Sequence, residues 1–249
     1  MIRADGRRPD QLRPVNIIPG YLAHAEGSAL IEMGGTAVLC AVTVEDRVPQ
    51  FVRGTGSGWI TAEYGMLPRS TLTRTPREKS SASGRTHEIQ RLIGRSLRSV
   101  AQLDLLGERT FTVDCDVLKA DGGTRTAAIT GAYMALYQAM RKLVDKGSLS
   151  SIPLRCAVAA VSAGLVDGIP LLDLNYEEDA RAAVDFNVVT TEEGELVEVQ
   201  GTGESHPFTR ETMDEMLTLA EGGIRQLFEA QRAALAEAGI ATGHAGQDS

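Results

Sequence analysis

Asp121-Gly122-Gly123-Thr124-Arg125-Thr126 is the stretch around which this sequence is arranged. Residues 111–118 before it alternate apolar and polar side chains, which predicts a β-strand. Residues 127–146 after it carry apolar side chains at helical spacing. The stretch therefore lies where a strand turns into a helix. Two glycines allow a ligand to approach the backbone, and a helix start offers unpaired N–H groups and the positive end of the helix dipole.

Two interpretations of this turn stay open. Arg125 would add a forked, permanently charged donor, so the turn suits a small oxyanion, above all phosphate. It could equally be a tight turn capped by the Thr124 hydroxyl. The stretch lacks the lysine of a P-loop and does not match the GxGxxG pattern, so no standard nucleotide-binding motif decides between them.

The composition is typical of a soluble globular chain. Of the 249 residues, 43% are hydrophobic and 23% are charged. Because no apolar run reaches membrane-spanning length and the first residues are not apolar, we expect a cytoplasmic protein without a membrane partner. The three cysteines, Cys40, Cys115 and Cys156, are far apart and lie in apolar runs, which predicts buried reduced thiols.

Positive charge is concentrated in one segment of an acidic chain. The net charge is −8, yet residues 69–98 hold eight basic and two acidic side chains, which leaves −14 on the rest. Such a band favours a polyanion partner, because the acidic remainder limits indiscriminate binding. A solvated helix face would explain some of these arginines. It explains less well those in residues 65–85, which we predict to form a long exposed loop.

An amphipathic helix is predicted at residues 88–103, within the basic band. Apolar residues form one stripe, and Arg91, Arg95 and Arg98 lie on another face. We expect Arg85 just before the helix begins, where the dipole disfavours a cation unless an anion is held there.

Carboxylates cluster in the last third of the chain, at Asp173, Glu177, Glu178, Asp179 and Asp185. Asp179 and Asp185 could bind a hard divalent cation through oxygen, or one of them could act as a general acid. Glu177 and Glu178 fit a solvated turn. Asp185 does not, because it lies within an apolar strand, on the face opposite Phe186, and needs a partner if buried.

The remaining pattern is a mixture of strands and helices. We predict a β-hairpin at residues 29–44 that turns at Gly34-Gly35, whereas residues 1–20 show no clear periodicity. Further strands are predicted at residues 59–64, 155–166, 169–174, 184–189 and 196–200. The last helix is predicted at residues 209–238, with Gly222-Gly223 as a candidate break, and residues 241–249 as a disordered tail.

Several of these segments together resemble bacterial ribonuclease PH. The resemblance is carried by WITAEYGMLPRS at residues 59–70, GRTHEIQRLI at 84–93 and DCDVLKADGGTRT at 114–126, and extends through 173–179 and 187–202. It covers roughly residues 1–238, and long motifs in order are far more specific than one glycine loop. It implies an α+β fold of mixed β-sheets with packed α-helices, as a single catalytic domain at residues 1–240.

The resemblance implies a phosphate-dependent 3′→5′ exoribonuclease. Such an enzyme trims the 3′ ends of tRNA precursors and other structured RNA, releases nucleoside 5′-diphosphates and works reversibly. The phosphate ligands implied are Arg85, Gly123, Thr124 and Arg125. The catalytic residues implied are Asp179 and Asp185, which would also hold the cofactor Mg²⁺.

The resemblance also implies a homohexameric ring, a trimer of dimers. Arg69, Arg74 and Arg77 would serve assembly and RNA binding, and we expect Arg91 and Arg95 to grip the RNA backbone, although Arg95 and Arg98 could form structural ion pairs instead. Two other functions stay open from the residues alone: a non-catalytic RNA-binding ring subunit, and a metal-dependent nuclease that uses water.

Overall fold

Two β-sheets enclose a central helix. The computed structural model describes residues 3–76 and 84–240. The first sheet has the order β1-β2-β3-β5-β4 and the second the order β7-β6-β8-β9. The first contains β1 (Val15–Pro19), β2 (Gly27–Met33), β3 (Thr36–Glu45), β4 (Trp59–Met66) and β5 (Thr110–Lys119). The second contains β6 (Val158–Val166), β7 (Ile169–Leu172), β8 (Val184–Thr191) and β9 (Leu196–Gly203).

The first sheet is built on the hairpin predicted around Gly34-Gly35. Met33 faces Thr36 across the turn, and Gly34 adopts a left-handed φ of 56°, which glycine tolerates at low cost. β3 pairs antiparallel with β5, and β4 pairs parallel with the other edge of β5. β5, which precedes the glycine turn at residues 121–126, therefore has a hydrogen-bonded neighbour on each side. These neighbours fix where that turn begins.

The helix after the turn, α2 (Thr124–Asp145), packs between the two sheets, against β2, β3 and β6. Its side chains are buried from Thr126 to Met140 on every face, because β-strands cover it on two sides. Small residues let the strands come close: a Cβ on Gly131 would lie 2.7 Å from Cγ2 of Ile31. The predicted helix is confirmed, and it begins three residues earlier than the apolar pattern.

Three further α-helices and one short 3-10 helix (Leu103–Leu105) complete the described part of the chain. The α-helices are α1 (Gly84–Val100), the short α3 (Tyr176–Asp179) and α4 (Arg210–Glu237). α4 runs through Gly222-Gly223 without a break. A Cβ on Gly223 would lie 2.8 Å from Cδ1 of Leu172, so this glycine permits close packing on β7. The candidate break was therefore wrong.

Two other expectations need correction. β1 is a regular strand in the segment where no element was predicted; it lies at a sheet edge and buries only Ile17, so its sequence shows little pattern. Arg85 lies in the first turn of α1 rather than before it, because the helix begins at Gly84. The segment 67–76 is irregular, as predicted.

The α+β class with mixed sheets and packed helices is confirmed. One hydrophobic core joins both sheets, since Ile31 of β2, Tyr137 of α2 and Val161 of β6 belong to the same buried cluster. Arg77 and the predicted tail at 241–249 lie outside the described residues. Within the described residues, none of the helices combines the length and apolar character needed to span a membrane.

A buried network of arginines and carboxylates ties the amino-terminal segment to the second half of the chain. Arg13 donates from Nη2 to Oδ1 of Asp173 at 2.7 Å and from its backbone N to Oδ2 at 2.8 Å. Arg3 donates from Nε to Oε1 of Glu178 at 2.7 Å. Burial opposes ionisation of Glu178, but the hydrogen bond from Arg3 and the charge of Arg7 outweigh it and lower the pKa of this carboxyl.

Two members of the predicted acidic cluster are therefore structural. Asp173 is completely buried, and Glu178 is buried rather than part of a solvated turn. The sequence alone did not reveal this, because their partners lie about 160 to 175 positions earlier in the chain.

Replacing Asp173 by Asn removes the negative charge between Arg7 and Arg13 with little change in size, and Asn tolerates the left-handed φ of 53° at this position. Because buried guanidinium charge is left uncompensated, the free energy of unfolding should fall by about 3–5 kcal/mol in denaturant titration. The control Asp10→Asn, at the exposed pair with Arg8, should leave the free energy of unfolding nearly unchanged, because water and salt screen an exposed ion pair. Equal losses in both variants would contradict the structural role of Asp173.

Candidate active site

A cavity of about 410 Å³ lies where the glycine turn, the start of α1 and the second sheet meet. The polar side chains that line it come from both halves of the chain, and the predicted phosphate and catalytic residues are among them. The lining includes Tyr64, Arg85, Gly122, Gly123, Thr124, Arg125, Ser162, Tyr176, Asp179, Asp185 and Asn187.

The glycines at the turn are required by the protein backbone. Gly122 and Gly123 have φ values of 76° and 62°, a conformation that L side chains rarely adopt. A Cβ on Gly122 would lie 2.3 Å from the carbonyl oxygen of Leu174. Gly122 therefore leaves room for the chain just before α3, whereas the sequence suggested room for a ligand.

Polar groups from behind hold the turn in place. Thr36 donates from Oγ1 to the Gly122 carbonyl at 2.6 Å and accepts from the Asp121 backbone N at 2.9 Å. Arg13 donates to the Asp121 carbonyl, and Oδ1 of Asp121 accepts from the backbone N of Tyr176 at 3.1 Å. These contacts satisfy the backbone carbonyls of Asp121 and Gly122 on the side away from the cavity. The amino-terminal end of α2 therefore faces the cavity.

Thr124 does not cap α2. The cap residue is Gly123, which has no side chain to accept a hydrogen bond, and the Thr124 hydroxyl lies 2.8 Å from the hydroxyl of Tyr64. The capped-turn interpretation is therefore wrong. An uncapped helix start directs unpaired N–H groups and positive dipole charge at the cavity.

Two arginines add positive charge to the same space. Arg85 comes from the first turn of α1, and this turn contains no acidic residue. Arg125 is mostly buried and is held by Oε1 of Gln200 at 3.2 Å and by Glu88 at 3.7 Å. The arrangement therefore combines a helix start with two guanidinium groups, which is the chemistry that binds phosphate.

Asp179 and Asp185 face these cations from the second half of the chain. Asp179 ends α3, and Asp185 extends from β8 with Asn187 beside it, whose Nδ2 donates to Oδ1 of Asp185 at 3.3 Å. Loss of hydration raises the pKa of Asp185, and the charge of Asp179 adds to the rise. Loss of hydration also raises the pKa of Asp179, although Arg85 and Arg125 oppose it.

This pair of carboxylates fits Mg²⁺ better than a metal that needs a full set of protein ligands. Within residues 3–76 and 84–240, no group of three or more His, Cys, Asp or Glu side chains is placed to hold a metal ion. Mg²⁺ is commonly held by one or two carboxylates together with substrate phosphates and water. Asp179 and Asp185 line one cavity and raise each other's cost of ionisation, so the two carboxylates could contribute to such a donor set.

The described arginines of the basic segment fall into two groups, those that are exposed to solvent and those that contact other side chains. Arg69, Arg74 and Arg91 are exposed outside the cavity. Arg95 is also exposed but forms an ion pair with Glu198 at 3.0 Å. Arg98 packs over the ring of Trp59 at 4.5 Å and donates to the Ile60 carbonyl at 2.8 Å, so its role is structural.

The cavity residues without a predicted role include Tyr64, Ser162, Tyr176 and Asn187. Two of them left a signal in the sequence. Ser162 is the one polar side chain in the apolar run of β6, and Asn187 lies on the same strand face as Asp185. The buried Ser162 hydroxyl has no hydrogen-bond partner among the described residues. For Tyr64 the sequence shows only an aromatic residue in an alternating strand.

The chain matches two family models in succession. Residues 11–142 match domain 1 of the 3′ exoribonuclease family, and residues 156–223 match domain 2. The cavity draws the turn and Arg85 from the first region and Asp179 and Asp185 from the second. The chain belongs to the 3′ exoribonuclease family.

Relatives within the family carry a more specific name. The chain is 58% identical over 234 residues to Ribonuclease PH from two strains of Dehalococcoides mccartyi, BAV1 and CBDB1. The match covers 93% of this chain and 97% of each relative. The resemblance to ribonuclease PH drawn from the motifs is therefore confirmed.

Solved structures show the same fold at lower identity. Rrp46 from rice superposes with a TM-score of 0.76 at 24% identity, covering 94% of this chain and all of that chain. A chain of the Archaeoglobus fulgidus exosome, solved with RNA bound to the active site, gives a TM-score of 0.78 at 25% identity and covers 91% of each chain.

The raised pKa of Asp185 predicts that its ionised carboxylate lowers the stability of the fold. Above that pKa the ionised carboxylate destabilises the fold, and the effect disappears as pH falls below the unfolded-state value near 3.8. In metal-free protein with chelator, Asp185→Asn should therefore raise the melting temperature at pH 8 by on the order of 2 °C. The gain should shrink as the pH is lowered toward that unfolded-state value, because the charge on wild-type Asp185 is then progressively neutralised. A lower melting temperature at pH 8 would contradict this.

Proposed function

We propose that this chain removes nucleotides from the 3′ ends of tRNA precursors by phosphorolysis, with the attacking phosphate bound at the Gly122–Arg125 turn. One observation carries the proposal: a single cavity places an uncapped helix start and two arginines opposite two carboxylates of raised pKa. The first group recognises inorganic phosphate, and the second serves the departing oxygen of the RNA.

The positive groups bind and orient the nucleophile. Arg85, Arg125, the Thr124 hydroxyl and the N–H groups at the start of α2 hold inorganic phosphate with one oxygen directed at the last phosphodiester. That oxygen forms a new bond to phosphorus while the bond to the 3′ oxygen of the preceding nucleotide breaks. Orientation matters because the entering and leaving oxygens must be roughly in line. The products are a nucleoside 5′-diphosphate and an RNA shortened by one nucleotide.

The carboxylates act on the leaving group. Both side chains line the cavity, and in this scheme Asp179 or Asp185 protonates the departing 3′ oxygen as the general acid. Loss of hydration raises the pKa of both carboxyl groups, which is the direction that favours the protonated form. The same two side chains would hold Mg²⁺, which supplies charge neutralisation at the scissile phosphate when bound. Asn187 fixes the Asp185 carboxylate by donating from Nδ2 at 3.3 Å.

The alternatives are weaker on the same geometry. A nuclease that used water would need the carboxylates but not a second anion site beside them. A non-catalytic ring subunit would need neither, yet this chain has both sets of residues in one cavity. The preformed anion site is the feature that favours phosphorolysis.

Assembly and location belong to the same proposal. We expect a homohexameric ring, supported by the solved exosome chains of like fold and by exposed apolar side chains such as Phe51 and Leu72, which are 69% and 90% exposed. We treat residues 1–240 as one catalytic domain. Three buried free cysteines suit a reducing compartment, which supports a cytoplasmic enzyme.

Replacing Arg85 by Ala should raise the apparent KM for phosphate by about 10- to 100-fold, the size expected for a lost charge-assisted hydrogen bond. Arg91→Ala is the matched control, because Arg91 is an exposed arginine of the same helix outside the cavity. It should weaken RNA binding and flatten the salt dependence, and it should leave the KM for phosphate unchanged. Unchanged phosphate dependence in Arg85→Ala would refute this assignment.

Asp185→Asn should lower kcat by about 100-fold or more and spare RNA binding, because the amide cannot give up a proton to the leaving oxygen. Activity on a short RNA at saturating phosphate and binding by a filter or anisotropy assay would test this. Glu177→Gln provides the control, since Glu177 is an exposed neighbour in α3 that does not line the cavity. Full activity in Asp185→Asn would exclude a catalytic role for this carboxylate.

A further inference from the structure

A tyrosine from the edge of the first sheet reaches the first residue of the central helix. Tyr64 lies on β4 and is only 6% exposed, and its hydroxyl is 2.8 Å from Oγ1 of Thr124. Both residues line the cavity. A buried phenol normally needs a hydrogen-bond partner, so the contact satisfies Tyr64, but it also determines what Thr124 can offer to a ligand.

The direction of this hydrogen bond decides the chemistry of the Thr124 hydroxyl. A threonine hydroxyl has one proton to donate and two lone pairs that accept. If Thr124 donated to Tyr64, its remaining lone pairs would face the cavity and repel an anion. If Tyr64 donates to Thr124, the threonine proton is free for a phosphate oxygen. An anion in the cavity therefore selects the second arrangement.

We propose that Tyr64 is a positioning residue for the phosphorolytic reaction, which donates its phenolic proton to Thr124 and so directs the Thr124 proton at the bound phosphate. The inference rests on the proposed function, because it requires phosphate at Thr124. Tyr64 itself acts through Thr124 and makes no contact with the substrate in this scheme.

Two properties of the site support this direction. Burial raises the pKa of Tyr64 above its usual value, so the phenol carries its proton at neutral pH. Strand β4 pairs with β5 through the whole of its length, including Tyr64 opposite Cys115. Since β5 leads directly into the glycine turn, the phenol is held at a fixed position relative to Thr124.

The test is a double-mutant cycle read in the KM for inorganic phosphate. Tyr64→Phe removes only the hydroxyl and should raise that KM by about 3- to 10-fold, with kcat at saturating phosphate changed less than about 2-fold. In a Thr124→Val background the same substitution should have no further effect, because the group it positions is gone. In a Thr124→Ser background, which keeps the hydroxyl, the effect should return.

Controls separate this inference from folding and from the proposed phosphate site. Tyr21→Phe, at a tyrosine that is 51% exposed, should leave both constants unchanged. Melting temperatures would show whether Tyr64→Phe is folded. Additive effects of Tyr64→Phe and Thr124→Val, or an unchanged KM in folded Tyr64→Phe, would overturn the positioning role alone. Unchanged phosphate KM in both Thr124→Val and Arg85→Ala would instead overturn the phosphate site.

Discussion

The buried ion pair between Arg13 and Asp173 is the interaction on which the active site depends. Arg13 contacts Asp173, which begins the segment leading to Asp179, and it donates to the carbonyl of Asp121 in the glycine turn. One side chain therefore holds together the part proposed to bind phosphate and the part proposed to act on the leaving group. A buried guanidinium group is costly unless its partners are complete, so this connection is rigid. The Leu174 carbonyl packs against Gly122, so the glycine turn also lies close to the segment that leads to Asp179.

The site lies between the two regions that match the two family models, and each region contributes residues to the cavity. The first gives the turn, the start of α2 and Arg85. The second gives Asp179 and Asp185. Neither region alone could line up an attacking phosphate with a departing oxygen, since that alignment requires groups on both sides of the scissile bond. The shared core around α2 keeps the two sheets in one arrangement.

Local pattern predicted much of this structure. The strand, turn and helix around residues 121–126 were predicted from alternation, glycines and helical spacing, and so was the hairpin at Gly34-Gly35. What local pattern could not predict depends on distant contacts. The acidic cluster divides into structural and cavity-lining members because Arg3 and Arg13 come from the opposite end of the chain. The Tyr64 contact with Thr124 joins residues 60 positions apart. Likewise, Gly222 and Gly223 stay within α4, and the lack of a side chain at Gly223 lets the helix pack closely on β7.

Phosphate bound at the turn, rather than water, is proposed to attack the RNA, and the fate of labelled inorganic phosphate distinguishes these two nucleophiles. Purified wild-type protein would be incubated with Mg²⁺, a tRNA precursor and radiolabelled inorganic phosphate, and the products separated by chromatography. We predict that the label appears in the terminal phosphate of nucleoside 5′-diphosphates, in step with shortening of the RNA from its 3′ end. Unlabelled nucleoside monophosphates at the same rate of shortening would show that water is the nucleophile and would rule out phosphorolysis.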